Sequence, residues 1–429
     1  MKISDSNFQT GPGLRFTIGE ILSDGSVIEP VLAASGNKLD LLLFDGKTGT
    51  IAPQFTCDGV TCHAPFVPPS LLRAIAFPRG IKEYGKRLQL FQKIAGVFER
   101  YAGVPTAEAS SLAYVVKCAL VPECDPGPRT FCVTGADPAL RQGLCRLLHV
   151  FCRRPFVTAE LSRRLPFWLD PTLILTNPRL SAQAVAFWRA SNFFGVYVQE
   201  SRREVCNIAC SRVIFCESAE SQASWGPEAL SIHLAPAGPL PPFTRREEEA
   251  LTDEYQQQLL LLRLQVLASK DSSNPAPERD SERPTSSGVS RHLPLFLQRE
   301  PDIVKAVSPL LEAHEEELKF LRRLDPDVVL RELLFESVHT EREISTEALT
   351  RHLKAELWVR GETLVYNERE VGWRLTKMGL PRKSNGHHHV LRFSREVRRR
   401  IHRLAAEVGL QLAKVRGCPD CQDPQPAVS

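Results

Sequence analysis

The stretch Thr134-Gly135-Ala136-Asp137-Pro138-Ala139-Leu140-Arg141-Gln142 joins a short apolar run, Thr130 to Val133, to a segment with Leu140, Leu144, Leu147 and Leu148 at helical spacing. Strand, glycine turn and helix in that order form the frame of a phosphate-cradling loop. A loop of this kind with Mg²⁺ chemistry reads G-x-x-x-x-G-K-[ST]. Its second Gly lets backbone amides approach phosphate, its Lys reaches the terminal phosphates, and its hydroxyl ligates the metal. Counted from Gly135, those three places hold Leu140, Arg141 and Gln142. Arg141 can neutralise a phosphate, but its planar fork does not reproduce the point charge of Lys. A carboxylate that holds Mg²⁺ belongs at the end of a second core strand, and the apolar strand Thr172 to Leu175 ends instead on Thr176 and Asn177. The nucleotide loop therefore reads as degenerate at Gly135, Arg141, Gln142, Thr176 and Asn177. No catalytic residue is assigned, and weak ATP binding through loop amides is the most these residues support.

Other candidate groupings are incomplete. His314-Glu315-Glu316 begins like a zinc-protease helix, but the second histidine position is Leu318. No G-x-S-x-G elbow occurs, so nucleophilic hydrolysis has no support. Cys57, Cys62 and His63 stand close together without a second cluster of matching spacing and read as structural. Cys418-Pro419-Asp420-Cys421 has the spacing of half a zinc site, yet no second C-x-x-C exists, and the nearest dense nitrogen donors are His387, His388 and His389. The pair reads as a reduced, exposed tail with no metal and no cofactor, a zinc shared with the histidine run or a redox pair being the alternatives. The 12 cysteines are scattered through a long chain, which predicts reduced and mostly buried thiols.

The elements that must position these residues follow from periodicity and caps. Ser26 to Ile28, Leu41 to Phe44 and Thr50 to Ala52, separated by Asp-Gly and Gly-Lys turns, predict a β-rich unit over residues 1–70. A helical lead-in covers 71–128. From Arg129, strands (Thr130 to Val133, Pro155 to Val157, Thr172 to Leu175, one near Val196, Arg212 to Phe215) alternate with helices, including Ser181 to Ala190, and Leu230 to Leu234 adds an edge strand. Alternation of this kind predicts a parallel sheet with helices on both faces. Thr244 and Glu247 have capping-box spacing and open a long helix that closes the 129–267 core. Residues 268–291, with Ser, Pro, Asp, Glu and Arg but almost nothing apolar, read as a disordered linker, and 292–324 as helix again.

The C-terminal part, 325–416 before a tail at 417–429, is the most legible. Asp325 with Pro326, Ser345, Asn367 and Ser394 each cap a helix, and Lys383-Ser384-Asn385-Gly386 signals a hairpin, giving winged-helix order. Val371, Leu375, Val390, Leu391 and Phe393 are expected in its core, and Trp225 and Trp373 are expected to pack rather than stack on bases. Charge singles out the same region: Arg369 to Arg416 holds 13 Lys and Arg against 3 Glu, a local +10 within a chain whose net charge is +4. A mildly acidic body thus carries a basic module, and DNA is the expected partner. The predicted contacts are Arg374 and Lys377 on the second helix of the motif, Arg382 and Lys383 on the hairpin, and Arg395, Arg398, Arg399 and Arg403 on the last helix. No apolar run approaches the roughly 20 residues a membrane span needs, so no membrane partner is expected and the chain reads as cytoplasmic. Oligomerisation is left open.

Taken together, Thr134 to Gln142, the strand ending Leu175-Thr176-Asn177, and Asn367 to Gly379 with its hairpin resemble the bacterial phage- and plasmid-type primase-helicase proteins. In these a P-loop ATPase core is followed by helices and a C-terminal winged helix. The resemblance spans about Arg129 to Cys421. It implies an α/β fold, a P-loop NTPase-like parallel sheet core with a small β-rich N-terminal unit and a C-terminal winged-helix domain, and an ancestry in replication or mobile elements. With both metal-related positions substituted, the expectation is a non-catalytic DNA-binding protein that keeps the ATPase frame as scaffold. An active NTPase or helicase and a protein-interaction adaptor are the rival readings.

Overall fold

The structure, a computed structural model, describes residues 14–57, 59–122, 128–159, 165–176, 197–199, 205–207, 209–217, 225, 229–235, 240–269, 293–361, 366–381, 383–385, 388–408, 418 and 421. The predicted helix at Ser181 to Ala190, most of the predicted linker, Asn177, Arg382 and His387 lie outside them. The chain divides into two compact units, Met1–Glu315 and Glu316–Ser429. The division falls inside one helix, Pro301–Leu324.

The first unit opens with seven short strands in two sheets. β1 (Leu14–Phe16), β7 (Val60–His63) and β6 (Gln54–Cys57) form one; β2 (Glu20–Ile21), β3 (Val27–Leu32), β4 (Leu39–Phe44) and β5 (Gly49–Ala52) form the other, which is antiparallel. Three helices follow: α1 (Pro69–Ala74), α2 (Arg87–Ala102) and α3 (Thr106–Leu120). The central sheet comprises β8 (Thr130–Thr134), β9 (Pro155–Thr158), β10 (Thr172–Leu175), β13 (Arg212–Phe215) and β14 (Ala229–His233), in the order β14-β8-β13-β10-β9 with every pairing parallel. Its inner strands β8, β10 and β13 are buried along nearly their whole length and mostly apolar because both faces are covered. On β8, Phe131 and Val133 enter the core shared with the helices, whereas Cys132 between them joins Leu173, Ile214 and Trp225 on the opposite face. α4 (Pro138–Phe151) buries Leu140, Leu144, Leu147, Leu148 and Phe151, and α5 (Arg245–Ala268) closes the unit from the reciprocal Thr244/Glu247 cap.

The strand expected near Val196 has a different partner. β11 (Tyr197–Gln199) pairs antiparallel with β12 (Val205–Asn207) in a separate two-stranded ribbon. The expected segments 1–70, 71–128 and 129–267 also share one core here: Val27, Val31, Leu42 and Phe44 of the N-terminal sheet pack in the same cluster as α2, α3, α4 and α5.

A buried ion cluster ties these layers together. Glu29 on β3, 2% exposed, accepts from Arg263 Nε at 2.7 Å and from Arg154 Nη2 at 2.6 Å, with Arg153 Nη2 at 3.6 Å. Arg263 comes from α5, and Arg153 and Arg154 from the turn after α4. The guanidiniums donate onward to the Leu120 and Leu169 carbonyls at 2.8 and 2.7 Å and to the Asp170 carboxylate at 2.5 Å. Gly19 lies against the carboxylate so closely that a Cβ would meet Glu29 Oε1 at 2.9 Å.

After α6 (Leu295–Gln298) and α7 (Pro301–Leu324), the second unit runs α8 (Pro326–Thr340), β15 (Glu343–Ser345), α9 (Thr346–Val359), α10 (Glu368–Lys377), β16 (Lys383–Asn385), β17 (His388–Arg392) and α11 (Arg395–Glu407). β15, β17 and β16 form an antiparallel sheet in that order. The Asp325, Ser345, Asn367 and Ser394 side chains each accept from a first-turn amide of the helix they open. Val371, Leu375, Leu391 and Phe393 are buried as expected, while Val390 is half-buried. Gly379, at φ +73°, takes the left-handed position after α10 that a side chain would strain. Among the described residues, no helix is long and apolar enough to cross a membrane.

Candidate nucleic-acid interface and sheet crevice

In the central sheet the chain leaves β8 toward β9 on one side and leaves β13 toward β14 on the other. α4, which follows β8, packs on the face of Phe131 and Val133, whereas Trp225, which follows β13, packs on the other face with Cys132 and Ile214; adjacent strands followed by residues on opposite faces leave a crevice at their carboxyl ends. The loop Gly135 to Asp137 sits there. Gly135, at φ +81°, presses against the end of β14: a Cβ would lie 2.1 Å from the Leu234 carbonyl oxygen. The Leu234 amide in turn donates to the Thr134 carbonyl at 2.9 Å.

The position a phosphate would take is already used. Asp137 caps α4, its Oδ1 accepting from the Leu140 amide at 2.8 Å, and Pro138 in the first turn has no amide proton to offer. A carboxylate thus satisfies the helix terminus that would otherwise attract an anion. Arg141 folds back into the crevice: its Nη1 reaches the Thr176 carbonyl at 3.5 Å and Glu217 Oε1 at 3.7 Å, and its Nη2 reaches the Ala136 carbonyl at 3.5 Å. Gln142 is exposed on α4. The structure therefore brings Gly135, Arg141 and Thr176 together, and it adds Glu217, which the sequence reading passed over. The signal was its place one residue beyond the Cys216 that ends the apolar run of β13.

In the second unit the predicted contacts divide by what holds them. Arg374 pairs with Asp327 at the start of α8 and lies 5.4 Å from the Tyr366 ring centre. Arg398 donates to the Phe393, Val338 and Glu341 carbonyls at 3.1, 2.6 and 3.4 Å and so caps the end of α8. Both are engaged inside the fold. Lys377, Arg395, Arg399 and Arg403 are exposed. Lys383 lies in β16, and Arg382 is outside the described residues. Trp225 is buried as expected, but Trp373 is 60% exposed. With Val371 and Leu375 turned inward, the residue between them must face out. Arg369, Trp373 and Lys377 consequently share one outer face of α10, with Lys377 Nζ 5.5 Å from the Trp373 ring centre.

Among the described residues the ligand atoms of Cys57, Cys62 and His63 form no metal-sized group; Cys62 faces Glu20 at 3.5 Å and His63 packs near Phe16. His389 is exposed on the hairpin. Cys418 and Cys421 lie instead beside His339 of α8 and His402 of α11. Cys57, Cys62, Cys118, Cys132, Cys145, Cys152, Cys210, Cys216, Cys418 and Cys421 are free thiols, and burial pushes several up, Cys118 and Cys152 to about 12, which makes those two inert as nucleophiles. Comparison of the chain with protein-family models, with curated proteins and with solved structures finds no match.

Proposed function

We propose that this chain is a non-catalytic DNA-binding protein in which a winged-helix unit carries the contact and an ATPase-like sheet serves as scaffold, in keeping with the primase-helicase resemblance. The observation that carries the reading is the outer face of α10. Arg369, Trp373 and Lys377 stand exposed on the second helix of a helix–helix–hairpin arrangement, within a segment of local charge +10. The sheet order and the glycine loop in its crevice support the ATPase-like scaffold. Asp137 at the helix terminus and Arg141 folded onto Glu217 support the absence of hydrolysis.

Fluorescence anisotropy of the full chain with double- and single-stranded DNA, with and without ATP and Mg²⁺, tests this. Duplex binding is expected to weaken with salt and to be indifferent to ATP. Replacing Arg369 and Lys377 together by Ala should flatten the slope of log affinity against log salt by up to roughly two. Arg374→Ala, by contrast, should lower the thermal stability of the second unit. DNA-stimulated ATP hydrolysis would favour the active NTPase or helicase reading. Absence of DNA binding at low salt would favour the adaptor, for which Trp358 and Val359, 72% and 78% exposed at the end of α9, offer an apolar docking point.

A further inference from the structure

We propose that the second unit holds a structural zinc ion, ligated by His339, His402, Cys418 and Cys421. Their four ligand atoms lie within 4.8 Å of one another. His402 Nε2 stands 3.3 Å from His339 Nε2, 3.2 Å from Cys421 Sγ and 3.4 Å from Cys418 Sγ, and His339 Nε2 stands 3.2 Å from Cys421 Sγ. A tetrahedral zinc with Zn–N of about 2.0–2.1 Å and Zn–S of about 2.3 Å has N···N edges of about 3.4 Å and N···S edges of about 3.5 Å. The measured edges agree within a few tenths of an ångström.

Hydrogen bonding among the four does not account for this geometry. His339 Nδ1 lies 2.6 Å from the Phe335 carbonyl and His402 Nδ1 lies 2.7 Å from the Arg398 carbonyl. A carbonyl only accepts, so both Nδ1 atoms carry the proton and both neutral rings present a bare lone pair at Nε2. Two such lone pairs 3.3 Å apart repel unless a cation lies between them. His402 Nε2 also has three neighbours at contact distance, and one ring nitrogen serves one hydrogen bond. A single ion at the centre satisfies all four atoms at once. The carbonyl contacts at Nδ1 are the outer partners that orient metal-bound imidazoles.

The donor set selects the metal and its role. Two imidazoles and two thiols in tetrahedral array suit zinc, and four protein ligands leave no position for water or substrate, so the site is structural. On binding, the two thiols release two protons and the resulting thiolates neutralise the Zn²⁺ charge. The ion fastens three separate parts of the unit: the last turn of α8, the middle of α11, and the tail carrying Cys418 and Cys421. Phe335 packs against both imidazoles, at 4.5 and 5.1 Å between ring centres, and Cys421 borders the unit's hydrophobic core.

Untagged full-length protein, purified under reducing conditions, is analysed for bound metal. One zinc per chain is expected, falling about tenfold in the Cys418→Ala, Cys421→Ala double variant. Replacing His387, His388 and His389 by Ala should leave it in place. Because loss of ligands can unfold the unit, Co²⁺ is also loaded into the wild type. Tetrahedral ligand-field absorption with thiolate charge transfer is expected, the charge transfer halved in Cys421→Ala. Chelation should lower the melting temperature of the wild type and leave the double variant unchanged. A wild type that takes up no stoichiometric zinc or cobalt, zinc retained by the double variant, or a Cys418–Cys421 disulfide in the reduced preparation would overturn the assignment.

Discussion

Glu29→Gln is expected to destabilise the first unit by roughly 3 to 5 kcal/mol, because it leaves buried guanidiniums without their counter-charge. Glu29 is a fully enclosed carboxylate, and burial alone would raise its pKa. The charges of Arg263, Arg153 and Arg154, with the hydrogen bond from Arg263, outweigh that and hold it below the ordinary carboxylate range. A depressed folded pKa contributes stability that is present above the unfolded value and is lost as pH falls through the folded value. The gap between wild type and Glu29→Gln should therefore be widest near neutral pH and narrow only below about pH 4. Urea unfolding followed by tryptophan fluorescence reads this out in the right unit. Trp225 is 2% exposed in the folded first unit, whereas Trp358 and Trp373 of the second are already 72% and 60% exposed and change little. A midpoint shift worth less than about 1 kcal/mol would show that the cluster is not what joins the N-terminal sheet to α5.

The elements legible in the sequence are those written by local chemistry. The caps at Thr244, Asp325, Ser345, Asn367 and Ser394 fall where side chains meet first-turn amides, and the apolar runs of β8, β10 and β13 became inner strands of the parallel sheet. What stayed hidden depends on residues distant in the chain. Glu29 is the lone charge in Val-Ile-Glu-Pro-Val, and Arg263 the lone charge in Leu-Leu-Arg-Leu, 234 positions apart. Each isolated charge in an apolar run was the visible half of a buried pair. The cysteine pair was legible as half a site, but the dense run His387 to His389 drew the eye from the single His402, which stands 16 positions before Cys418 and beside it in space. His339 and His402, 63 positions apart, are brought together by the packing of α8 on α11. On α10, basic character alone did not separate Arg374, held by Asp327, from Arg369 and Lys377, which face outward; only the inward phase of Val371 and Leu375 does.

Lys117→Met is expected to stabilise the first unit by an amount on the order of 4 kcal/mol at neutral pH, the reverse of what loss of a charged residue usually does. Lys117 is fully buried in α3, and its Nζ has no hydrogen-bond partner among the described residues. Burial, aided by the nearby charge of Arg87 and only partly offset by Glu300, pushes it down to about 7. The unfolded chain holds this proton up to about pH 10, so between pH 7 and 10 the unfolded state binds more protons than the folded one. Stability from this group accordingly rises with pH across that window, and its full cost is felt below pH 7. Met has no charge to desolvate and nearly the same length, so it suits this fully buried position of α3. The check is the difference between wild type and variant over pH 6 to 9, which cancels the buried thiols that titrate at higher pH in both. The difference should be largest at pH 6 and shrink by about 1.4 kcal/mol per pH unit above pH 7. A difference that is flat with pH, or a variant less stable than wild type at pH 6, would mean that Lys117 is paired in the folded protein and that its ammonium supports the helix layer.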